Sequence, residues 1–245
     1  MVTPETLETP KPSELQDGLW IRSRWYVGVD LGQAHDPTAV CVLEEKYAEV
    51  PPNAWGHNVR PLEYRARQYE SPLLVRHLER LPLEMTYPAQ VEHVRALLAR
   101  PPLREPLTLI DYTGVGRPVF DLFKKARVPR LKGVAITAGN QVHKQRHGWS
   151  VPKQILMSKL QALLHSEKLR IAAGIKDAPV LLREMKDFRV NFTSAGNAIF
   201  NAREGAHDDL VLAVALAVFG ATQPRPASWE DIAENPVIQR IQYRL

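Results

Sequence analysis

The stretch YVGVDLGQAHDPTAV, residues 26–40, decides how this chain is read. Its flanks, WYVGVDL (25–31) and TAVCVLEE (38–45), are apolar and rich in β-formers, and the GQAHDP between them is turn-like. That pattern predicts a strand, a tight connection and a second strand folding back on the first. Asp30 closes the first apolar run and Asp36 stands just ahead of the second. Two carboxylates at the mouth of a central hairpin need an explanation, because neither helps to bury apolar surface.

Working outward, LEYRARQYE (62–70) alternates as a third strand would, and SPLLVRHLERL (71–81) opens with Ser and Pro as a helix does. YPAQVEHVRALLAR (87–100) places Val91, Val94, Leu97 and Leu98 on one helical stripe. PLTLID (106–111) is a short apolar run ending in Asp111, as expected of a buried parallel strand. GRPVFDLFKKA (116–126) follows as a helix and LKGVAIT (131–137) as a strand, a βαβ unit. AGNQVHKQRHGWS (138–150) has no periodicity and reads as a functional loop or small hairpin. Helices are predicted over 151–168 and 178–188, with two short strands and a Gly turn over 189–202. AHDDLVLAVALAVFGA (206–221) is apolar nearly all round, so this helix is predicted to be buried. The fold class expected is α/β: a mixed sheet, antiparallel hairpin strands plus parallel strands, with helices on both faces. Residues 1–23 read as a flexible leader, 24–222 as the domain and 223–245 as a tail.

With 245 residues and 44% hydrophobic content, the chain can bury a core of its own. No apolar run approaches the roughly 18–20 residues of a membrane helix, and the N-terminus has no signal-peptide core. Cys41 stands alone, which excludes an intrachain disulfide and a cysteine-rich zinc site and fits a reducing cytoplasm. The net charge is +5, and KKARVPRLK (124–132) and HKQRH (143–147) concentrate nitrogen donors, as a polyanion-binding surface would.

Asp30 and Asp111 each end a strand, and Asp208 and Asp209 open the buried helix. In an open α/β sheet, ligands gather beyond the strand ends, where these elements can converge. Each residue also has a plain structural reading: Asp30 and Asp111 as turn formers, Asp208 and Asp209 as helix caps. Carboxylates brought close together repel and raise each other's pKa unless divalent cations sit among them. An all-oxygen donor set favours Mg²⁺ or Mn²⁺ over zinc. Two such ions about 4 Å apart can activate water and stabilise the leaving oxygen of a phosphodiester.

VGVDLGQAHDPTAV, LTLIDYTGVGRPVFDLF and EGAHDDLVLAVALAV together resemble the nuclease domain of phage large terminases, over about residues 24–222. The resemblance implies an RNase H-like fold and a metal-dependent DNA endonuclease using two Mg²⁺ or Mn²⁺ ions. It implies that Asp30 bridges both ions, Asp111 holds one, and Asp208 with Asp209 holds the other, with Asp36 an accessory ligand. Double-stranded DNA is the implied partner, with a separate packaging ATPase, small terminase or portal protein beside it, in the cytoplasm of a bacterial host. No G-x-x-x-x-G-K-[ST] motif occurs, so the nuclease is expected without its ATPase motor.

Lys144, Arg146, Lys153 and Lys159 flank the acidic positions and are candidates for gripping the DNA backbone. Gly114 and Gly116 could cradle a phosphate or simply start a helix. His207 could orient a ligand or cap; His143 and His147 could bind metal or face water; Cys41 reads as packed. Ser150 lacks the partners of a serine hydrolase. Two other functions fit parts of the pattern. GVDLG also suits an actin-like sugar or acetate kinase, though the C-terminal Asp pair has no role there. A non-catalytic DNA-binding relative is the other.

Overall fold

A computed structural model describes residues 15–16, 19–32, 36–50, 66, 69–113, 116–187, 189–192, 198–201 and 208–224. A short β1 (Leu15–Gln16) pairs with the start of β2 (Leu19–Asp30). The centre is the expected hairpin: β2 pairs antiparallel with β3 (Ala39–Glu49), from Trp20 opposite Glu49 to Asp30 opposite Ala39. β4 (Leu73–Arg80) adds antiparallel to β3. After α1 (Tyr87–Leu98), β5 (Leu107–Asp111) joins the other side of β2 in parallel. α2 (Gly116–Lys125) crosses over to β6 (Lys132–Thr137), parallel to β5, since a parallel neighbour needs a long return connection. β7 (His143–Gln145) and β8 (Gly148–Pro152) form a small hairpin at one edge, with β8 parallel to β6. α3 (Lys153–His165) leads to β9 (Leu169–Ile171), parallel to β4 at the other edge. α4 (Ala178–Asp187), the separate hairpin of β10 (Arg189–Phe192) with β11 (Ala198–Asn201), and α5 (Asp209–Ala221) follow. The sheet order is β7-β8-β6-β5-β2-β3-β4-β9.

Strand side chains alternate between faces, and two cores result. Val27, Val29, Val40, Val42 and Ile110 pack beneath α1 and α2. Tyr26, Cys41, Leu43 and Leu109 pack beneath α3, α4 and α5. α5 is buried from Asp209 to Gly220, which is why its sequence shows no polar face. It sits against bare backbone: a Cβ on Gly28 would stand 2.0 Å from the Ala213 carbonyl oxygen and 2.7 Å from the Ala217 nitrogen. Only glycine permits that approach. Burial pushes the Cys41 thiol pKa up, in keeping with a packed rather than a reactive cysteine.

One predicted helix is a strand. Within 71–81, Leu73–Arg80 form β4, and its pairing with β3 shifts register between Val42 and Leu43. That irregularity breaks the two-residue period and leaves Leu74, Leu78 and Leu81 at a helix-like spacing. β2 begins at Leu19, inside the stretch assigned to the leader, and β9 carries no strand signature of its own. The predicted strand at 62–70 falls almost wholly outside the described residues, as do most of the leader, the tail, His207 and Gly114. Gly116 opens α2. No helix among the described residues is long and apolar enough to cross a membrane.

Candidate active site

Asp30 and Asp111 are register partners across the parallel β2–β5 pair. Asp30 lies on the face of Tyr26 and Gly28, and Asp111 on the face of Leu109, so both carboxylates point to the side covered by α5. The same row continues through Ala39, opposite Asp30, to Arg80, opposite Ala39. Over this row comes the start of α5, with Asp208 just ahead of it and Asp209 as its first residue. Three segments far apart in sequence thus put four carboxylates at one end of the sheet.

Their electrostatics show the proximity. The Asp30 pKa is raised well above the ordinary carboxylate value, first by burial, then by repulsion from Asp111, Asp208 and Asp209, with Lys153 opposing. Among the described residues, no hydrogen bond or ion pair reaches the Asp30 carboxylate. The Asp111 pKa is raised by burial, against hydrogen bonds from Thr113 and the charge of Lys153. Thr113 donates its backbone N–H to Asp111 Oδ1 at 2.8 Å and its hydroxyl to the same oxygen, while accepting from the Ile136 N–H at 2.7 Å. Asp111 is therefore oriented through Thr113 by the neighbouring strand.

Two cations enter the cluster. Lys153, the first residue of α3, places Nζ 2.6 Å from Asp208 Oδ2. Arg80 donates Nε to Asp209 Oδ2 at 2.7 Å and a terminal nitrogen to Glu184 Oε1. The other oxygen of Glu184 accepts the Val211 N–H at 3.2 Å, so α4 caps α5 from outside, and Asp208 makes no side-chain cap. Burial lifts the Glu184 pKa to about 7, against the pull of Arg80.

The strand-end connection is also pinned. Gly32 N–H donates to Thr38 Oγ1 at 3.0 Å, Thr38 donates to Gln90 at 2.9 Å, and Gln90 donates to the Met85 carbonyl at 2.8 Å. α1 thereby fixes the segment that follows Asp30.

Asp36 is exposed and is not among the charges that act on Asp30. Of the basic candidates, Lys144 and Arg146 are exposed on or beside β7, and Lys159 is half-buried on α3. Lys153 belongs to the acidic cluster itself. His143 and His147 are exposed; desolvation, then the Lys124 and Arg146 charges, hold the His147 imidazole below its usual pKa. Sequence reasoning missed Arg80, Glu184, Thr113, Thr38 and Gln90. An acid or base at a strand end is a legible signal, and Arg80 would have carried it had β4 been recognised. Glu184 has no such signal.

Chemically, four carboxylates gathered at one end of the sheet, an all-oxygen donor set, fit a hard divalent ion. Among the described residues, no three His, Cys, Asp or Glu side chains are arranged to hold one as they stand. Asp208 and Asp209 are drawn instead to Lys153 and Arg80.

A mixed sheet of this order, with Asp at the adjoining ends of its central strands and a buried helix packed across them, is the RNase H-like architecture. Solved structures carry it to a narrower class. The large terminase nuclease from thermophilic phage G20c with bound cobalt is 19% identical, with a TM-score of 0.57, covering 88% of this chain and 93% of that one. The G20c nuclease with bound magnesium gives the same values. The Thermus phage P74-26 large terminase nuclease domain is 19% identical at a TM-score of 0.53, covering 87% and 90%. This chain has the fold of the phage large terminase nuclease domains. No protein-family model and no curated protein matches it.

Proposed function

We propose that this chain is a divalent-metal-dependent DNA endonuclease that hydrolyses phosphodiester bonds during phage DNA packaging. The observation that carries the reading is the pairing of Asp30 with Asp111 in register, beneath a helix that begins at Asp209 with Asp208 just ahead of it. The fold likeness to nucleases crystallised with cobalt and magnesium supports the same choice.

Asp30, Asp111 and Asp208 would hold two Mg²⁺ or Mn²⁺ ions, with Asp209 tied to Arg80 beside them. Such ions supply an activated water and neutralise charge on the leaving oxygen. The chain's own residues set the geometry. Thr113 turns one oxygen of Asp111 toward β6. Arg80 and Glu184 fix the height of the α5 terminus over the sheet. Lys144 and Arg146, exposed at the β7 edge, would hold phosphates of double-stranded DNA, giving binding that is insensitive to sequence and steeply salt-dependent. In this reading the nuclease domain reaches to about residue 222 and includes the whole of β2 from Leu19, rather than starting at residue 24. It would work in the host cytoplasm with a separate packaging ATPase, small terminase or portal protein.

The test is incubation of the purified chain with supercoiled plasmid at low salt. Nicked and linear products are expected with Mg²⁺ or Mn²⁺ and none with EDTA. An intact plasmid under every metal condition would refute the reading.

A further inference from the structure

We infer that Lys153 is a built-in counter-cation of the acidic site, which an entering divalent ion must displace. The inference rests on the nuclease reading and adds to it a competition between a side chain and the metal.

Position comes first. Lys153 begins α3 immediately after β8, so its backbone is held by two regular elements. Its ammonium lies 2.6 Å from Asp208 Oδ2, the length of a charge-assisted hydrogen bond. The same charge acts on Asp30 and on Asp111, opposing the rise in both. The ammonium thus pairs with one of the carboxylates that would hold the metal and lies close enough for its charge to bear on the other two. Asp209 is paired with Arg80.

The two cations differ in how firmly they are bound. Arg80 bridges Asp209 and buried Glu184, and a planar guanidinium held at both ends stays in place. Lys153 pairs with Asp208, and its side chain keeps a quarter of its surface exposed. A compact ammonium on a flexible stem can leave for water. No three donors are arranged to hold an ion among the described residues while Asp208 is engaged in this way. A divalent ion offers the three carboxylates twice the charge at shorter range.

Mn²⁺ binding to the whole chain, measured by titration calorimetry beside plasmid cleavage, tests this. Lys153→Met and Lys153→Gln remove the competing charge and are expected to bind Mn²⁺ about tenfold more tightly than wild type. Both should also melt at a lower temperature in EDTA, where the carboxylates lose that neighbouring charge. Lys153→Arg keeps the charge and should show no tightening. Two neutral variants keep the test alive if one fails to fold. Wild type binding Mn²⁺, with both neutral variants binding equally or more weakly, overturns the inference and leaves the nuclease reading intact. No Mn²⁺ binding and no cleavage by wild type or any variant overturns the nuclease reading and this inference with it.

Discussion

The hairpin β2–β3 carries charged side chains at both of its ends, and the two ends are built on opposite rules. At the end remote from Asp30, acids and bases are matched. Glu44 accepts from Ser23 Oγ at 2.5 Å and lies 3.4 Å from Arg76 Nε, Glu45 lies 3.9 Å from Arg24, and Glu49 pairs with Arg22. At the other end, Asp30, Asp111, Asp208, Asp209 and Glu184 share Arg80 and Lys153 among the described residues. Matched charges serve the fold. An excess of one sign on rigid elements costs folding free energy and marks where a ligand of opposite sign completes the structure.

The contrast can be broken by substitution, beginning where the effect is greatest. Asp111→Asn should lower Mn²⁺-dependent plasmid cleavage by about 10³-fold while leaving the melting temperature in EDTA unchanged or raised, since it removes repulsion. Unchanged cleavage would place Asp111 among the structural acids. Arg80→Met leaves buried Asp209 and Glu184 without their cation and should cost about 3 kcal/mol by urea unfolding. At the matched end, Glu44→Gln should cost about 2 kcal/mol and leave the cleavage rate of the folded protein within twofold of wild type. A larger rate effect would mean that the two ends are coupled. The smallest effect is expected from Lys144→Ala with Arg146→Ala. The slope of log affinity for duplex DNA against log salt should fall by about 2, with metal-dependent steps unchanged.

Much of this end of the molecule was legible in the sequence. LTLID and YVGVD show apolar runs stopping at Asp, and HDDLVLAVALAV shows a buried helix beginning in acid, because burial and charge leave local marks. What was illegible depends on distant partners. The register shift opposite Val42 and Leu43 disguised β4 as a helix and concealed Arg80. Lys153 read as part of a DNA-binding surface because its partner lies 55 residues away. Glu184 looks like any helical acid until the N-terminal end of α5 arrives to be capped. Asp36, the second acid of the opening stretch, matched the family pattern in sequence and yet stands exposed, outside the set of charges around Asp30.

α5 has a mechanical consequence. It is an apolar rod running through the core, with the acidic pair at one end and Phe219 set edge-on against Trp149 of β8, 5.7 Å between ring centres, at the other. Close seating on Gly28 leaves it little freedom to tilt. A bulkier or smaller ring there would change the seating of α5, about 15 Å from its acidic tip. Anything that presses on the β7–β8 edge thus bears on the seating of the helix that carries the acidic pair, without touching that pair.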